Sequence, residues 1–474
     1  MAATRPNLLL ITTDQQRYDA LGINGNEVLR TPNLDALAAG GVNFSRAYTT
    51  CPSCIAARRT ILTGQAAHTH GLPGYQDGLE FNPAFTLPGL LGDAGYQTQL
   101  IGKLHMFPQR KRFGFDNLIL SEQPDYRPDS PYFSHNDYAD WLKARGVRAE
   151  PGAHGIGPNG RVARPFHLPE DCHQTNFLVE QAIEFLTRRR DPACPYFLHL
   201  SFWAPHPPLI PPQIYYDRYA RRGDLEPSIG SWVPSFDRAP AGLKPDSPTG
   251  PFRLEEIQDA MAGYYGLINH LDDQIAHLFE RVFTRGGRTS QEPLWTIFAS
   301  DHGEMLGDHQ LFRKTLGYEG SAHVPFFVSG RNVDFDQGES DQLVCLEDLL
   351  PTFCDLGGAR IPKGVDGKSL APILRGERRA IREDLHGEHS GPFANHFLVH
   401  GRYKYIWYAH TNKEQLFDLE DDPHELADIS GHAELLEPLR KRMAKHLQGR
   451  KDYKYDMRKV KPLFNGAPEA FWKK

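Results

Sequence analysis

Four short apolar runs end abruptly in polar residues. Residues 7–12 lead into Thr13-Asp14-Gln15, and 96–101 lead into Gly102-Lys103-Leu104-His105. Residues 196–202 lead into Ala204-Pro205-His206-Pro207, and 294–299 into Ser300-Asp301-His302-Gly303. Residues 324–328 form a fifth β-type run. Continuous apolar runs of this length are the mark of strands covered on both faces. Between them the period changes. Thr31-Pro32-Asn33 opens a helical pattern at Leu34, and residues 254–283 carry Ile257, Met261, Tyr264, Leu267, Ile268, Leu271 and Ile275 at helical spacing. Alternating strand and helix patterns predict an α/β domain built on a large, mostly parallel sheet flanked by helices. Ligands of such sheets bind beyond the carboxyl ends of the strands, which is where all four polar clusters fall.

The pattern shifts after Val365-Asp366-Gly367-Lys368-Ser369-Leu370. From about residue 381, short β-like runs follow one another at 397–399, 403–408 and 415–419, and a helical segment at 434–447 closes them. This predicts two domains, a catalytic α/β domain over 1–377 and a small α+β domain with an antiparallel sheet over 378–474. The tail, 451–474, is basic and aromatic and is expected to wrap the body or to mediate a homo-oligomer. Residues 123–167, rich in Pro, Gly, Asp and Arg with little periodicity, read as a long surface excursion of the kind that shapes pockets.

Composition narrows the partners. The 474 residues carry a net charge of -6, which offers no electrostatic case for nucleic acid or an anionic membrane. An anionic substrate therefore needs a local positive site. The apolar stretch from Leu8 to Ile11 is too short for a signal core or a membrane span, so no signal peptide is expected and the cytoplasm is the expected compartment. Six cysteines are sparse, and Cys172, Cys194, Cys345 and Cys354 are scattered, so no disulfide framework is implied.

The remaining two, Cys51 and Cys54, form a C-x-x-C pair. A structural zinc site would need two further ligands, and no second C-x-x-C exists. The stretch Cys54-Ile-Ala-Ala-Arg58, continuing to Leu62-Thr63-Gly64, instead resembles the sulfatase signature, in which the cysteine four residues before the arginine is oxidised to formylglycine. Ala56 stands where that signature usually has Pro. Other blocks match in order: Pro6-Asn7 with Asp14-Gln15, Thr31-Pro32-Asn33-Leu34-Asp35, Gly102-Lys103-Leu104-His105, Pro205-His206, Ser300-Asp301-His302-Gly303-Glu304 with Lys314 beyond, Leu416-Phe417-Asp418-Leu419, and Asp422-Pro423-His424-Glu425.

The resemblance implies an alkaline-phosphatase-like fold and a metal-assisted hydrolysis of sulfate monoesters. It implies Cys54 as the formylglycine precursor, with Arg58 hydrogen-bonded to the aldehyde hydrate. Asp14, Gln15, Cys54, Asp301 and His302 would hold one divalent ion, calcium first, with manganese or magnesium as alternatives because of the imidazole. Lys103, His206 and Lys314 would bind the sulfate group. His206, with Lys314, would protonate the leaving alcohol, and His105 would take the proton that releases sulfate. Cys54 before a short helix suits an anion, because the free N–H groups of a helix start carry partial positive charge. His70, His309, His386 and His389 are weaker candidates; of these, His386 and His389 come from the small domain and could face a substrate. The implied partners are a sulfated small molecule or glycan and a formylglycine-generating or radical maturation enzyme. Two rivals remain. Gln15 and His302 resemble the phosphonate monoester and phosphodiester hydrolase branch of the same scaffold, whereas the Lys103–His105 pair leans to sulfate. A non-catalytic binder of sulfated glycans is the second, opposed by the intact set of catalytic residue types.

Overall fold

The computed structural model describes residues 5–122, 136–148, 152–233, 244–284, 291–377, 380–391 and 393–450, and the backbone of the short pairs 455–456 and 461–462. Its strands are β1 (Asn7–Asp14), β2 (Gly41–Phe44), β3 (Ala47–Tyr48), β4 (Gln97–Gly102), β5 (Asn117–Leu120), β6 (Tyr196–Pro205), β7 (Leu294–Ser300), β8 (Phe326–Arg331), β9 (Gly338–Ser340), β10 (Val344–Cys345), β11 (Asp384–His389), β12 (Asn395–His400), β13 (Tyr403–Tyr408) and β14 (Glu414–Asp418). Eight form one mixed, mostly parallel sheet in the order β5-β4-β6-β1-β7-β8-β2-β9. β1 lies at its centre, parallel to β6 on one edge and β7 on the other. β11 to β14 form a separate antiparallel sheet in chain order.

Both faces of β1 are covered, as its unbroken apolar run requires. Leu8 and Leu10 pack with Leu100, Phe197, Ile297 and Phe353 on one side. Leu9 and Ile11 pack with Leu198, Leu200, Leu271 and Phe298 on the other. Leu10 is fully buried. Leu10→Ala is therefore expected to lower stability by about 3 kcal/mol, read as a lower midpoint of chemical denaturation. A midpoint unchanged from wild type would contradict this packing.

Two sequence expectations are corrected. The run at 324–328 becomes a strand only from Phe326, because Pro325 has no N–H for a ladder, and it enters the sheet antiparallel to β7. Within 123–167, expected to lack regular structure, a helix spans Asp137–Ala144. Asn136 caps it, its side chain accepting from the Tyr138 N–H at 3.2 Å, and Tyr138 and Leu142 form its buried face. Residues 123–135 and 149–151 of that segment lie outside the described residues, as does residue 378, the expected start of the second unit. So does most of the tail.

The antiparallel sheet is sandwiched. Leu398, Tyr405, Trp407 and Leu416 pack against Leu436, Leu439, Met443 and Leu447 of the helix Ala433–Leu447. Phe397, Val399, Ile406 and Phe417, on the alternate face, pack against Leu316, Tyr318 and Leu343 of the large domain. Buried Lys404 adds ion pairs to Glu319 and, at 3.3 Å, to Glu425. Glu425 is the last residue of the Asp422-Pro423-His424-Glu425 block, so this motif clamps the small sheet to the body. No described helix is long and apolar enough to cross a membrane.

Candidate active site

The order β4-β6-β1-β7 puts four parallel strands side by side with their carboxyl ends aligned. Lys103 follows β4, His206 follows β6, Asp14 and Gln15 end β1, and Asp301 and His302 follow β7. Gly102 makes the first of these ends feasible. It has φ +119, and a side chain there would collide with the Ser201 carbonyl of the adjacent strand. Cys54 is the first residue of the helix Cys54–Thr63, and every residue of that helix is buried. The helix stops at Gly64 with φ 64, where a Cβ would meet Leu350 and Val365. Hence Leu62-Thr63-Gly64 ends the element that Cys54 begins.

The side chains converge tightly. Cys54 Sγ lies 3.1 Å from His302 Nε2 and 3.9 Å from Asp14 Oδ1. Lys103 Nζ approaches Asp14 Oδ2 to 2.6 Å and sits 3.8 Å over the Trp203 ring. Lys314 Nζ donates to Gln15 Oε1 at 2.6 Å and faces His206 Nε2 at 3.3 Å. Arg58 does not stand free to bind a hydrate. Its Nη2 pairs with Asp14 at 2.9 Å and its Nε with Asp301 at 3.0 Å, while Nη1 donates to the Lys103 carbonyl and the Ser201 hydroxyl. It acts on position 54 through the two carboxylates it aligns.

Charge in this pocket is unevenly shared. Burial alone would push the Cys54 thiol up, but Lys314, His302 and Lys103 hold it well below the ordinary thiol value, and a hydrogen bond from His105 adds to this. Burial pushes Cys51 well up instead, helped by Glu388 and Glu347, so the two cysteines do not share an environment. Burial and the neighbouring Asp14 charge raise Asp301 to about 6, whereas Lys103, His206 and Arg58 overcome burial to hold Asp14 low. Burial, with Lys314 beside it, lowers His206 to about 4.

The donor set fits a divalent ion. Asp14, Cys54, Asp301 and His302 each bring a ligating atom within 4.8 Å of the others, all of them buried. Asp301 Oδ2 accepts no aligned hydrogen bond, although Arg58 lies nearby. Two buried carboxylates held this close repel, and a dication among them would let both stay ionised. Gln15 adds an amide oxygen, and its orientation is set by Glu304. The buried Glu304 carboxylate takes the Gln15 amide N–H and also accepts from the backbone of Leu306 and Arg313.

A family model described as Sulfatase matches residues 6–359, and one described as N-sulphoglucosamine sulphohydrolase, C-terminal, matches 307–452. The chain belongs to the sulfatase family. It is 38% identical to an arylsulfatase of Clostridium perfringens over 98% of both chains. It is 29% identical to a choline-sulfatase of Rhizobium meliloti over 91% of this chain and 83% of that one. Its fold is similar to that of a phosphonate monoester hydrolase of Agrobacterium radiobacter, with a TM-score of 0.76 at 24% identity, covering 94% of this chain and 95% of that one. The protein is thus a sulfuric ester hydrolase on the alkaline-phosphatase-like fold.

In this sulfatase the residues singled out in the sequence do not all meet. Asp14, Gln15, Cys54, Arg58, Lys103, His206, Asp301, His302 and Lys314 share the centre described above. His105, with φ 54, reaches Cys54 from the edge of this centre and lies 4.0 Å from Asp77. His70 hydrogen-bonds to Thr60, and His309 packs between Trp232 and Tyr318. His386 does not face a substrate; it is stacked between His396 and His446 in the small domain. His389 is buried close enough to His302 and Lys314 to feel their charges. Sequence reasoning missed Trp203, Ser201 and Glu122. Glu122 accepts from the N–H groups of Leu104 and His105 at 2.8 and 2.9 Å and so shapes the turn after Lys103. Glu304 stood within a matched block but had no role assigned.

Proposed function

We propose that this sulfatase cleaves sulfate monoesters with an oxygen nucleophile at position 54, after a maturation enzyme has oxidised Cys54 to formylglycine. The observation that carries this reading is the placement of Cys54: at a helix start, against Asp14 and His302, among Lys103, Lys314 and His206. Once hydrated, the aldehyde supplies one hydroxyl oxygen to attack sulfur and a second whose deprotonation later releases sulfate and restores the carbonyl. A divalent ion held by Asp14, Gln15, Asp301 and His302 would neutralise the carboxylates and polarise the sulfuryl oxygens. Calcium is the first expectation, with manganese or magnesium admitted by the imidazole. Lys103 and Lys314 hold the sulfuryl oxygens from opposite sides of Asp14 and Gln15, a preorganised field where charge redistributes. Arg58 keeps the two carboxylates in register.

Proton supply follows from the His206 geometry. Its Nδ1 lies 2.6 Å from the Pro207 carbonyl and donates to it, which leaves Nε2 to accept from Lys314. Burial favours the neutral ring, so the proton for the leaving alcohol comes from the Lys314–His206 pair once an anion has bound. His105, at the rim, takes the proton from the second hydroxyl. His206→Ala and His105→Ala are each expected to lower kcat by roughly 10²–10⁴-fold, measured by steady-state hydrolysis of an aryl sulfate. Turnover at the wild-type rate in either variant would remove that residue from the mechanism.

A phosphonate monoesterase reading is favoured by Gln15 and His302; kcat/KM for a phosphonate monoester exceeding that for the matching sulfate would install it. Analogy alone would make the alcohol a carbohydrate, with aryl sulfates as surrogates. The chemistry at position 54 is tested by mass spectrometry of the peptide containing Cys54, from protein coexpressed with a formylglycine-generating enzyme. An aldehyde trapped by a hydrazide, in protein that turns over sulfate esters, is the expected result. Turnover by protein whose Cys54 is wholly unmodified would overturn the formylglycine reading.

A further inference from the structure

Beside the reaction centre, at the same edge of the sheet, lies a half-open cavity of about 290 Å³. It shares Trp203, His206 and Glu122 with the site. We propose that this cavity receives the leaving group of the ester, and that it selects an uncharged, mainly apolar alcohol or phenol of one or two rings. The proposal rests on the sulfatase reading above and replaces the carbohydrate that analogy would favour.

Three observations carry it. The first is position. The cavity is lined by residues just past or at the carboxyl ends of β5 and β6, the side of the sheet where ligands bind, and His206 in its wall faces Lys314 at 3.3 Å. A sulfate group held between Lys103 and Lys314 thus has its ester oxygen near His206 and its organic half toward the cavity. The second is the walls. Phe166, Ile156, Ile210 and Leu267 line it together with Trp203, whose ring meets Lys103. No Lys or Arg is among the described lining residues. Burial lowers the lining histidine His173 to about 4 and also lowers His154, which weighs against positive charge on this wall. The third is the state of the polar groups. Glu122 Oε1 takes the backbone N–H groups of Leu104 and His105, Asn136 donates to the Glu122 carbonyl at 2.9 Å, and Gln174 donates to the Ser121 hydroxyl at 2.5 Å. A sugar would need several of these donors and acceptors, and a second sulfate would meet no cation. An apolar ring needs neither, and an engineered apolar cavity of about 150 Å³ already holds benzene.

The test compares 4-methylumbelliferyl sulfate with glucosamine 6-sulfate in matured wild type and in Ile156→Trp, which fills the cavity. Wild type is expected to prefer the aryl ester. Ile156→Trp is expected to raise its KM roughly tenfold with little change in kcat, since losing the burial of one ring is worth that much. Inhibition by inorganic sulfate, which needs only the lysine side, should stay unchanged and shows that the variant is folded; if it is lost, Leu267→Phe repeats the measurement. In parallel, 4-methylumbelliferone binding to Cys54→Ala protein is followed by fluorescence, with and without Ile156→Trp. Binding weakened by the tryptophan, with no sulfate ester turned over by wild type, would leave the cavity assigned and the sulfatase chemistry refuted. A higher kcat/KM for the amino sugar, or an aryl KM indifferent to Ile156→Trp while sulfate inhibition persists, overturns the proposal. So does failure of the phenol to bind Cys54→Ala protein.

Discussion

Cys54→Ala brings sulfate ester turnover down to background, a loss of roughly 10⁵-fold or more, because it deletes the nucleophile while leaving the positive site intact. The substitution removes only a sulfur at the start of a buried helix, so the fold is retained and binding of inorganic sulfate persists. Cys54→Ser sharpens the point. A serine hydroxyl in the same place offers one oxygen, and once sulfated it has no second hydroxyl on the same carbon to expel sulfate. The variant is therefore expected to release at most one equivalent of alcohol per protein and then stop, unless a serine-directed maturase converts it. Burst amplitude and the mass of the sulfated peptide measure this. Sustained multiple turnover by Cys54→Ala would place the nucleophile elsewhere.

Asp14→Asn is expected to have the next largest effect, a fall in kcat/KM of roughly 10³-fold or more together with loss of bound metal. Asp14 is fully buried and takes three charged contacts in the centre: Lys103 at 2.6 Å, Arg58 at 2.9 Å, and His302 at 3.8 Å. Asparagine keeps the shape and removes the charge. Arg58 then keeps a single carboxylate, Asp301, Lys103 loses its ion-pair partner, and the ion-binding group loses one of its two carboxylate charges. Removing one partner of a buried ion pair costs about 3–5 kcal/mol, so the variant is also less stable. Elemental analysis of the purified protein, thermal denaturation and aryl sulfate kinetics read the three consequences separately. Full metal content with turnover within tenfold of wild type would show that Asp14 is not a ligand.

Much of this centre was legible because of how its strands are buried. β1, β4, β6 and β7 are covered on both faces, so each carries a short apolar run, and the polar cluster after it marks the strand end. Once the sheet is recognised as parallel, Asp14, Lys103, His206 and Asp301 must share one edge. The same logic fails for β5, a short, partly exposed edge strand, and for β2, whose four residues carry no distinctive period. It fails at β8 because Pro325 delays the strand and the direction of entry is decided by tertiary pairing. It fails for Arg58, whose neighbours on the helix say nothing of the carboxylates it meets from β1 and β7. His386 misled because a histidine gives the same letter whether it faces substrate or stacks on His396 and His446. The cavity beside His206 was foreshadowed only by the stretch 123–167, read as one that shapes pockets, whose Asn136, Tyr138, Ile156 and Phe166 line it. Its walls come from separate stretches, including residues 152–158, 173–175, 203–210 and Leu267 of the long helix Leu254–Phe279.

The central strand also sets an order of events during synthesis. β1 is made well before its partners, which begin at Tyr196 and Leu294. Until both have been made, an eight-residue apolar segment waits with both edges unpaired, a state that invites aggregation and chaperone binding. The catalytic centre closes late, when Asp301 and then Lys314 arrive beside Asp14 and Gln15. In the finished molecule Cys54 is only 2% exposed. Before β7 is made, His302 is not yet there to cover the Cys54 thiol, so another protein has easier access to it then than in the finished fold.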